Sequence, residues 1–219
     1  GWYKSLFHNE MILSALGLSL VLALVSSIIA TVLGTLATLG INSMSRKSQL
    51  IINNISYVPV VNPEIITGIS LMMLFVAYQR FASELDFLPD NIMGFPTLLI
   101  AHITFNIPYV ILSVGPKLRQ MDRNLVDAAQ DLGCTWMQAF WKVIIPEIKP
   151  GIVSGALTAF TMSIDDFVIS YFTAGSSSST LAMTIYGMTK KKVTPEINAI
   201  STLLFVTVLV LLAIINLRD

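Results

Sequence analysis

Long apolar runs separated by short polar stretches dominate this chain. A helix needs roughly 20 residues to cross a hydrocarbon layer about 30 Å thick, and no run alternates with the period of a barrel strand. The pattern therefore predicts an all-α polytopic membrane bundle with five spanning helices. The predicted spans are residues 11–40, 51–79, 94–115, 151–174 and 199–217.

One long polar segment interrupts this pattern between the third and fourth predicted spans. Residues 125–132 combine good helix formers, and Gly133 follows where a left-handed residue would end a helix. Thr135 is a predicted N-cap for a second short helix. Pro146 is predicted to kink or end that helix before the next span. The segment thus predicts two short helices joined at a glycine corner. Its large apolar anchors are Trp136, Phe140 and Trp141.

Composition supports the membrane assignment and narrows the function. The chain is 54% hydrophobic and 12% charged, whereas a soluble domain carries about 25% charged residues. Its net charge of zero gives no indication of nucleic-acid binding. The single cysteine, Cys134, cannot form an internal disulfide.

Loop charges predict the orientation. Arg46 and Lys47 lie in one loop, and five further cations lie in the polar segment and its approach. Two spans separate these loops, so both are expected on the cytoplasmic side. Residues 190–192, three lysines, fall on the outer side and disagree with this rule. The first ten residues would also lie outside, so we expect a further spanning helix ahead of Gly1.

Three carboxylates are predicted at membrane depth: Glu64, Asp165 and Asp166. Each charge costs about 3 kcal/mol there and usually faces a cavity. No Lys or Arg lies within those predicted spans, which favours a cationic cargo. On an unbroken helix Asp166 lies on a small, polar stripe, so we favour it for the cargo path. Asp165 is left to the path or to a partner helix. The alternative is that both only form hydrogen bonds inside the bundle.

Other residues could line the same path. Asn62 and Pro63 are predicted to break the second span beside Glu64, which would free carbonyl groups to line a cavity. A plain proline kink is the alternative. Tyr109 and Tyr171 are candidate stacking walls, although most aromatic residues in such bundles serve packing or interfacial anchoring. The other aromatic candidates are Tyr57, Phe75 and Tyr78. His102 and Asn106 are predicted to link helices rather than to bind a ligand.

Several functions are disfavoured by the sequence. The chain has no GxxxxGK[ST], no HExxH and no GxSxG, and it has only two histidines. No catalytic or metal site is therefore predicted. An intramembrane aspartyl protease would need two aspartates on different helices, whereas Asp165 and Asp166 are adjacent. A secondary transporter would not need the polar segment, and no clear internal repeat occurs.

The polar segment resembles the EAA loop of ABC importer permeases. That pattern has Glu-Ala-Ala, a glycine four residues after the second alanine, and Ile-x-Leu-Pro further on. This chain has Asp for Glu, Val for Ile and Ile for Leu. The resemblance implies that the segment docks into a cytoplasmic ATPase subunit and transmits its motion; a re-entry helix with no partner is the alternative. The implied coupling residues are Asp127, Ala128, Ala129, Gly133, Trp136 and Pro146.

Almost the whole chain resembles the C-type permease subunit of spermidine/putrescine ABC importers. The similar stretches are WYKSLFHNE, VNPEIITGISLMMLF, LLIAHITFNIPYV, SIDDFVISYFTAG and MTIYGMTKKKVTPEINAIST. The resemblance implies one permease domain over residues 1–219, with a coupling segment at 117–150 and the type I importer fold. In that family a further spanning helix precedes the point where this chain starts, giving six in all.

The resemblance also implies a bacterial inner-membrane location and several partners. These are a second permease subunit, two ATPase subunits, which bind ATP and magnesium, and an extracytoplasmic polyamine-binding protein. The resemblance favours a different chain as the second permease, and an identical chain is the alternative. No cofactor is expected on this chain. The main alternative is the same machine carrying another cargo, such as ferric ion or an amino-phosphonate.

Overall fold

The computed structural model describes residues 9–83, 93–122, 124–176, 178–191 and 195–216. Within these ranges the elements are helical and no strand occurs. The helices are α1 (Glu10–Asn42), α2 (Arg46–Val61), α3 (Glu64–Ala82), α4 (Phe95–Gln120), α5 (Asn124–Asp131), α6 (Trp136–Ala139), α7 (Ile145–Asp165), α8 (Val168–Thr173), α9 (Leu181–Lys191) and α10 (Pro195–Asn216), with a π-helical turn, Phe140–Ile144, between α6 and α7.

The all-α membrane bundle predicted from the sequence is confirmed. Among the described residues, four stretches are long and apolar enough to cross a membrane: α1, α3, α4 and the continuous stretch Trp136–Asp165. The fifth predicted span, residues 199–217, falls on α10, which is apolar over Ser201–Ala213.

Helices α1, α4 and α7 pack against one another and form the centre of the bundle. Small residues allow the close approach. A Cβ added to Gly34 would lie 2.7 Å from the Cβ of Val110, and one added to Gly151 would lie 2.9 Å from the carbonyl oxygen of Ser113. In lipid, helix association depends on such close packing because apolar burial alone does not drive it.

Polar side chains join the three central helices, near the middle of α1 and α4 and close to the C-terminal end of α7. Ser26 on α1 lies 3.0 Å from Ser163 on α7, measured between the two Oγ atoms. Asn106 on α4 donates from Nδ2 to Ser163 Oγ at 2.7 Å. All three side chains are buried. Asn106 therefore links helices, as predicted.

Two of the predicted spans are broken near the same depth. The predicted break of residues 51–79 is confirmed, because α2 ends at Val61 and α3 begins at Glu64. The prediction of an unbroken helix over residues 151–174 is wrong: α7 ends at Asp165 and α8 begins at Val168. Asp166 has extended backbone, with φ −66° and ψ 123°.

Of the two effects predicted for Pro146, a kink or a helix end, the helix end is wrong, because the helix continues through this residue. The stretch Trp136–Asp165 is one continuous helix. The π-helical turn precedes the proline, and Ile145 N–H bonds to the Phe140 carbonyl five residues back. A wider turn of this kind absorbs the missing N–H and the bulk of a proline ring without ending the helix.

Candidate functional site

The two helix breaks lie next to each other because α3 packs against α8. A Cβ on Gly68 would lie 2.9 Å from Cδ2 of Phe172 and 3.5 Å from the Val168 carbonyl oxygen. Glycine is therefore required at this contact between α3 and α8. Glu64 is one turn before Gly68, on the same face of α3, so its carboxylate comes close to the break between α7 and α8.

Asp166 holds the start of α8 in place. Its Oδ1 accepts a hydrogen bond from Ile169 N–H at 3.2 Å, and its Oδ2 accepts one from Ser170 N–H at 2.7 Å. His102 Nε2 lies 3.6 Å from Asp166 Oδ2 and 3.0 Å from Ser170 Oγ. The side chains of Asp166 and His102 are buried. Two backbone donors and an imidazole therefore surround this carboxylate.

Asp165, the neighbouring acid, has the opposite environment. It is the last residue of α7, where unpaired carbonyl groups give the helix end a partial negative charge. Its side chain is exposed, and within the described ranges no hydrogen bond or ion pair compensates it. Of the two aspartates, Asp165 is thus the one whose charge remains free to attract a cation.

The helical-face argument made from the sequence therefore does not determine which of the two aspartates lines the cargo path. It assumed a continuous helix through residues 165 and 166, and the chain leaves the helix at that point. Asp166 turns inward to cap α8, whereas Asp165 lines an open groove of about 510 Å³ between the α7–α8 break, α9 and α10. Its other lining residues are Phe167, Ala182, Ile185, Tyr186, Thr189, Ser201, Phe205 and Val208.

Aromatic rings form one wall of this groove. Phe167 and Tyr186 have ring centroids 4.5 Å apart, and Tyr171 lies 5.4 Å from Phe167. Tyr171, a predicted wall residue, is 56% exposed and extends this aromatic cluster. Phe167 and Tyr186 were not singled out from the sequence. The signal available was an aromatic residue directly after two membrane-depth acids.

The three predicted acids act on one another electrostatically. Glu64 interacts with both Asp165 and Asp166, and Tyr109 interacts with Glu64. Within the part of the chain that the structure describes, the one ion pair of these acids is with His102, and no metal-ligating group of three His, Cys, Asp or Glu residues was found. The site therefore concentrates negative charge.

The remaining predicted path residues lie at the edge of this acidic cluster. Asn62 is half-buried at the α2–α3 break, with its N–H bonded to the Val58 carbonyl at 2.9 Å. Tyr109 is half-buried on α4 and packs on Phe105, with centroids 5.2 Å apart. Both are placed where they could border a path past Glu64.

The polar segment has the predicted glycine corner. Helix α5 ends at Asp131, and Gly133 has a φ of +88°. Cys134 N–H bonds back to the Ala129 carbonyl at 3.0 Å. Thr135 caps α6, accepting from Gln138 N–H at 3.3 Å, while the Gln138 side chain accepts from Thr135 N–H at 2.9 Å. The corner is therefore fixed by backbone bonds and a capping box.

Large apolar side chains project from this corner. Trp136 is 59% exposed, Trp141 62% and Leu132 87%. Trp136 stacks on the half-buried ring of Phe140, with centroids 5.6 Å apart. Asp127, Ala128 and Pro146 are exposed and Ala129 is half-buried. An exposed apolar patch of this kind marks an interaction surface.

A comparison with protein families identifies the class of protein to which this chain belongs. The family model described as "Binding-protein-dependent transport system inner membrane component" matches residues 30–217. This chain belongs to that family. As a member, it is an inner-membrane permease component of a transport system that depends on a binding protein, and it is not the catalytic subunit. The resemblance to importer permeases read from the sequence is thereby confirmed.

Individual relatives cover most of the permease chain. It is 38% identical over 206 residues to the putrescine transport system permease protein PotI of Escherichia coli strain K12, covering 93% of this chain and 71% of the relative. It is 32% identical over 213 residues to the spermidine/putrescine transport system permease protein PotC of Haemophilus influenzae, covering 97% and 79%.

A solved structure shares the fold of the permease. It is described as "Crystal structure of an amino acid ABC transporter with histidines", and the superposition has a TM-score of 0.68. It covers 99% of this chain and 96% of that chain at 19% sequence identity. At this identity the likeness establishes the ABC importer permease fold alone.

Proposed function

We propose that this chain is a transmembrane subunit of an ATP-driven importer and that it forms part of the path for polyamines such as spermidine and putrescine. The observation that carries the proposal is the pair of adjacent helix breaks, with the uncompensated carboxylate of Asp165 beside Glu64. The names of the relatives, which are putrescine and spermidine/putrescine permeases, support the same cargo.

The location of the path follows from the cost of charge in lipid. Glu64 and Asp165 are exposed on this chain, and a carboxylate at membrane depth is not left facing hydrocarbon. Their common face must therefore border water or a second protein chain. Broken helices whose free carbonyl groups line such a cavity are typical of ion sites in transporters.

The groove at Asp165 has the chemistry that a polyamine requires. Each ammonium group pairs with a carboxylate, and the methylene stem packs on apolar and aromatic surface. Asp165 supplies the carboxylate, and Phe167 and Tyr186 supply the rings. Glu64 and Asn62 border the path at the other break, with Tyr109 and Tyr171 as further walls. Asp166 acts mainly by holding α8, so that the groove keeps its shape.

The glycine corner is the proposed docking surface for an ATPase subunit. Its exposed apolar side chains and the smooth Ala128–Ala129 surface would enter a cleft of that subunit. Gly133 and Pro146 would set the direction of the corner, and Asp127 would lie at its edge. The proposed complex contains this chain, a second and different permease chain, two ATPase subunits that hold ATP and magnesium, and an extracytoplasmic polyamine-binding protein.

Uptake by single-charge variants tests the cargo proposal. The full complex is reconstituted in vesicles, and uptake of radiolabelled spermidine and putrescine is measured. Asp165→Asn keeps the side chain's size but removes the charge, and charge-assisted hydrogen bonds are about twice as strong as neutral ones. We expect uptake to fall about tenfold or more. The matched control is Asp166→Asn, which retains an acceptor for the α8 cap and should reduce uptake less. Unchanged uptake in Asp165→Asn and in the Glu64→Gln, Asp165→Asn double variant would show that these acids do not contribute to the cargo path.

Disruption of the corner tests the docking proposal. Gly133→Val places a β-branched residue at a φ of +88°, which such residues avoid. Transport-coupled ATP hydrolysis should be lost while the bundle still inserts. Gly17→Val on α1, where an added Cβ meets nothing within 4 Å, is the control. A Gly133→Val complex that couples hydrolysis to uptake normally would show that the corner does not dock.

A further inference from the structure

A lysine lies beside the aromatic wall of the groove. The Nζ atom of Lys190 is 4.8 Å from the centroid of the Tyr186 ring. The same ring packs on Phe167, 4.5 Å away, and Phe167, Tyr186 and Asp165 all line the groove. The Tyr186 ring therefore contacts both the Lys190 ammonium and Phe167, and Lys190 lies at the edge of the groove rather than among its lining residues. Lys190 belongs to the three lysines that the loop-charge rule left unexplained.

The position of Lys190 is set by helix α9. Tyr186 and Lys190 are four residues apart on one helical face, which brings the two side chains together. Lys190 makes no ion pair with Asp165 within 4.0 Å in the described part of the chain, so its charge is held by the ring rather than neutralised by the acid. An ammonium over an aromatic face is attracted by the ring's quadrupole.

The lysine side chain has the same chemistry as the end of a polyamine. Both are chains of methylene groups that end in a primary ammonium. A site that accepts one will accept the other, because the same ring face and the same negative field attract both. The Lys190 ammonium therefore occupies a position that the leading end of a diamine cargo would take.

We propose that Lys190 is a tethered competitor of the cargo: its ammonium covers the Tyr186 ring at the edge of the groove, and an incoming polyamine displaces it on its way to Asp165. This inference rests on the proposed function. Lys190 is then a specificity-determining residue that weakens cargo binding without taking part in the passage that follows. Its removal should lower KM and leave kcat unchanged.

Kinetics of the reconstituted full complex test the proposal. An exposed cation–π contact is worth enough to change an equilibrium about two- to fivefold. Lys190→Gln should therefore lower the KM for putrescine uptake about two- to fivefold, with kcat unchanged. Lys190→Arg keeps a cation over the ring and should retain the parent KM. Lys47→Gln, an exposed lysine at the start of α2, is the control for a general loss of charge and should change neither constant.

A second ring variant shows whether Lys190 acts through Tyr186. Tyr186→Leu removes the ring for which Lys190 and the cargo compete. The double variant Tyr186→Leu, Lys190→Gln should therefore have the same KM as Tyr186→Leu alone. An equal fall in both backgrounds would mean that Lys190 acts on the cargo as a distant charge, and it would overturn the proposal. A raised KM or a lowered kcat in Lys190→Gln would overturn it as well.

The failure of this inference is distinguishable from the failure of the proposed function. If the parent complex takes up putrescine or spermidine and Lys190→Gln leaves the KM unchanged, only the competitor role is wrong. If the parent complex takes up neither polyamine, the cargo assignment is wrong and the competitor role falls with it.

Discussion

The chain is interrupted twice near the middle of the bundle, by a proline between α2 and α3 and by an aspartate between α7 and α8. Pro63 occupies the N-cap of α3 without any side-chain hydrogen bond. Asp166 instead accepts two backbone hydrogen bonds from α8 and lies 3.6 Å from His102. The first break occurs at a proline, whose ring fixes φ and removes the N–H group. The second break depends on hydrogen bonds from a side chain to the backbone of the next helix.

This difference determines how each break can be lost. A proline has no N–H and a fixed φ, so it favours a departure from the helix without any hydrogen-bonded neighbour, although Pro59 and Pro108 lie inside helices of this chain. The aspartate break persists only while the carboxylate satisfies N–H groups that lipid cannot satisfy. A change of one side chain should therefore damage the α7–α8 break far more than the α2–α3 break.

The largest effect is expected for Asp166→Ala. Two N–H groups of α8 lose their acceptor, and His102 loses its neighbour. Losing a cap and leaving buried polar groups unpaired should cost about 2–4 kcal/mol. The measurement is the thermal midpoint of the purified complex in detergent, followed by fluorescence-detected size exclusion.

The matched variant for this experiment is Asp166→Asn. Its amide oxygen still accepts a backbone hydrogen bond, so it should lose less stability than the alanine variant. Equal midpoints for Asp166→Ala and the parent complex would mean that α8 does not depend on its cap.

An intermediate effect is expected for Gly68→Val, which separates the two breaks. An added Cβ would lie 2.9 Å from Phe172, so α3 and α8 must move apart. Overpacking of this kind costs about 1–3 kcal/mol, and uptake should fall because Glu64 moves away from Asp165. The stability and uptake of Gly17→Val, at an open position on α1, provide the comparison. A Gly68→Val complex with normal stability and uptake would show that the contact of the breaks is not required.

The smallest effect on stability is expected for Pro63→Ala. No side-chain hydrogen bond is lost, and Asn62 already has extended backbone. The free energy of unfolding should change by less than about 1 kcal/mol. Denaturant titration of the complex gives this value, and a loss as large as that of Asp166→Ala would reverse the contrast between the two breaks.

Much of the fold could be predicted because its signals are local. Apolar runs of spanning length predicted the helices, and Pro63 predicted the α2–α3 break. Gly133 and Thr135 gave the corner of the polar segment, since a left-handed glycine and an N-cap act within a few residues of themselves. The three membrane-depth acids were also identified, because a charge in an apolar run is conspicuous.

The features that were missed depend on distant parts of the chain. The break at Asp166 has a local component, because its carboxylate accepts from the N–H groups of Ile169 and Ser170, but the contacts with His102 and between α3 and α8 join residues distant in the sequence. The groove wall needs Phe167 and Tyr186 from separate helices. The sequence predicts that Pro146 kinks or ends its helix; the helix does not end there, because a π-helical turn precedes the proline, and that turn has no reliable sequence pattern.

The uninterrupted helical stretch Trp136–Asp165 has a mechanical consequence. Its 30 residues, at a rise of about 1.5 Å each, correspond to about 45 Å along a straight rod. One end carries Trp136 and the glycine corner, and the other end carries Asp165. If the rod pivots at its corner end by about 5°, its far end moves by about 4 Å. A small rotation imposed at the corner would thus be enlarged, by leverage alone, to a displacement about as wide as a narrow hydrated passage.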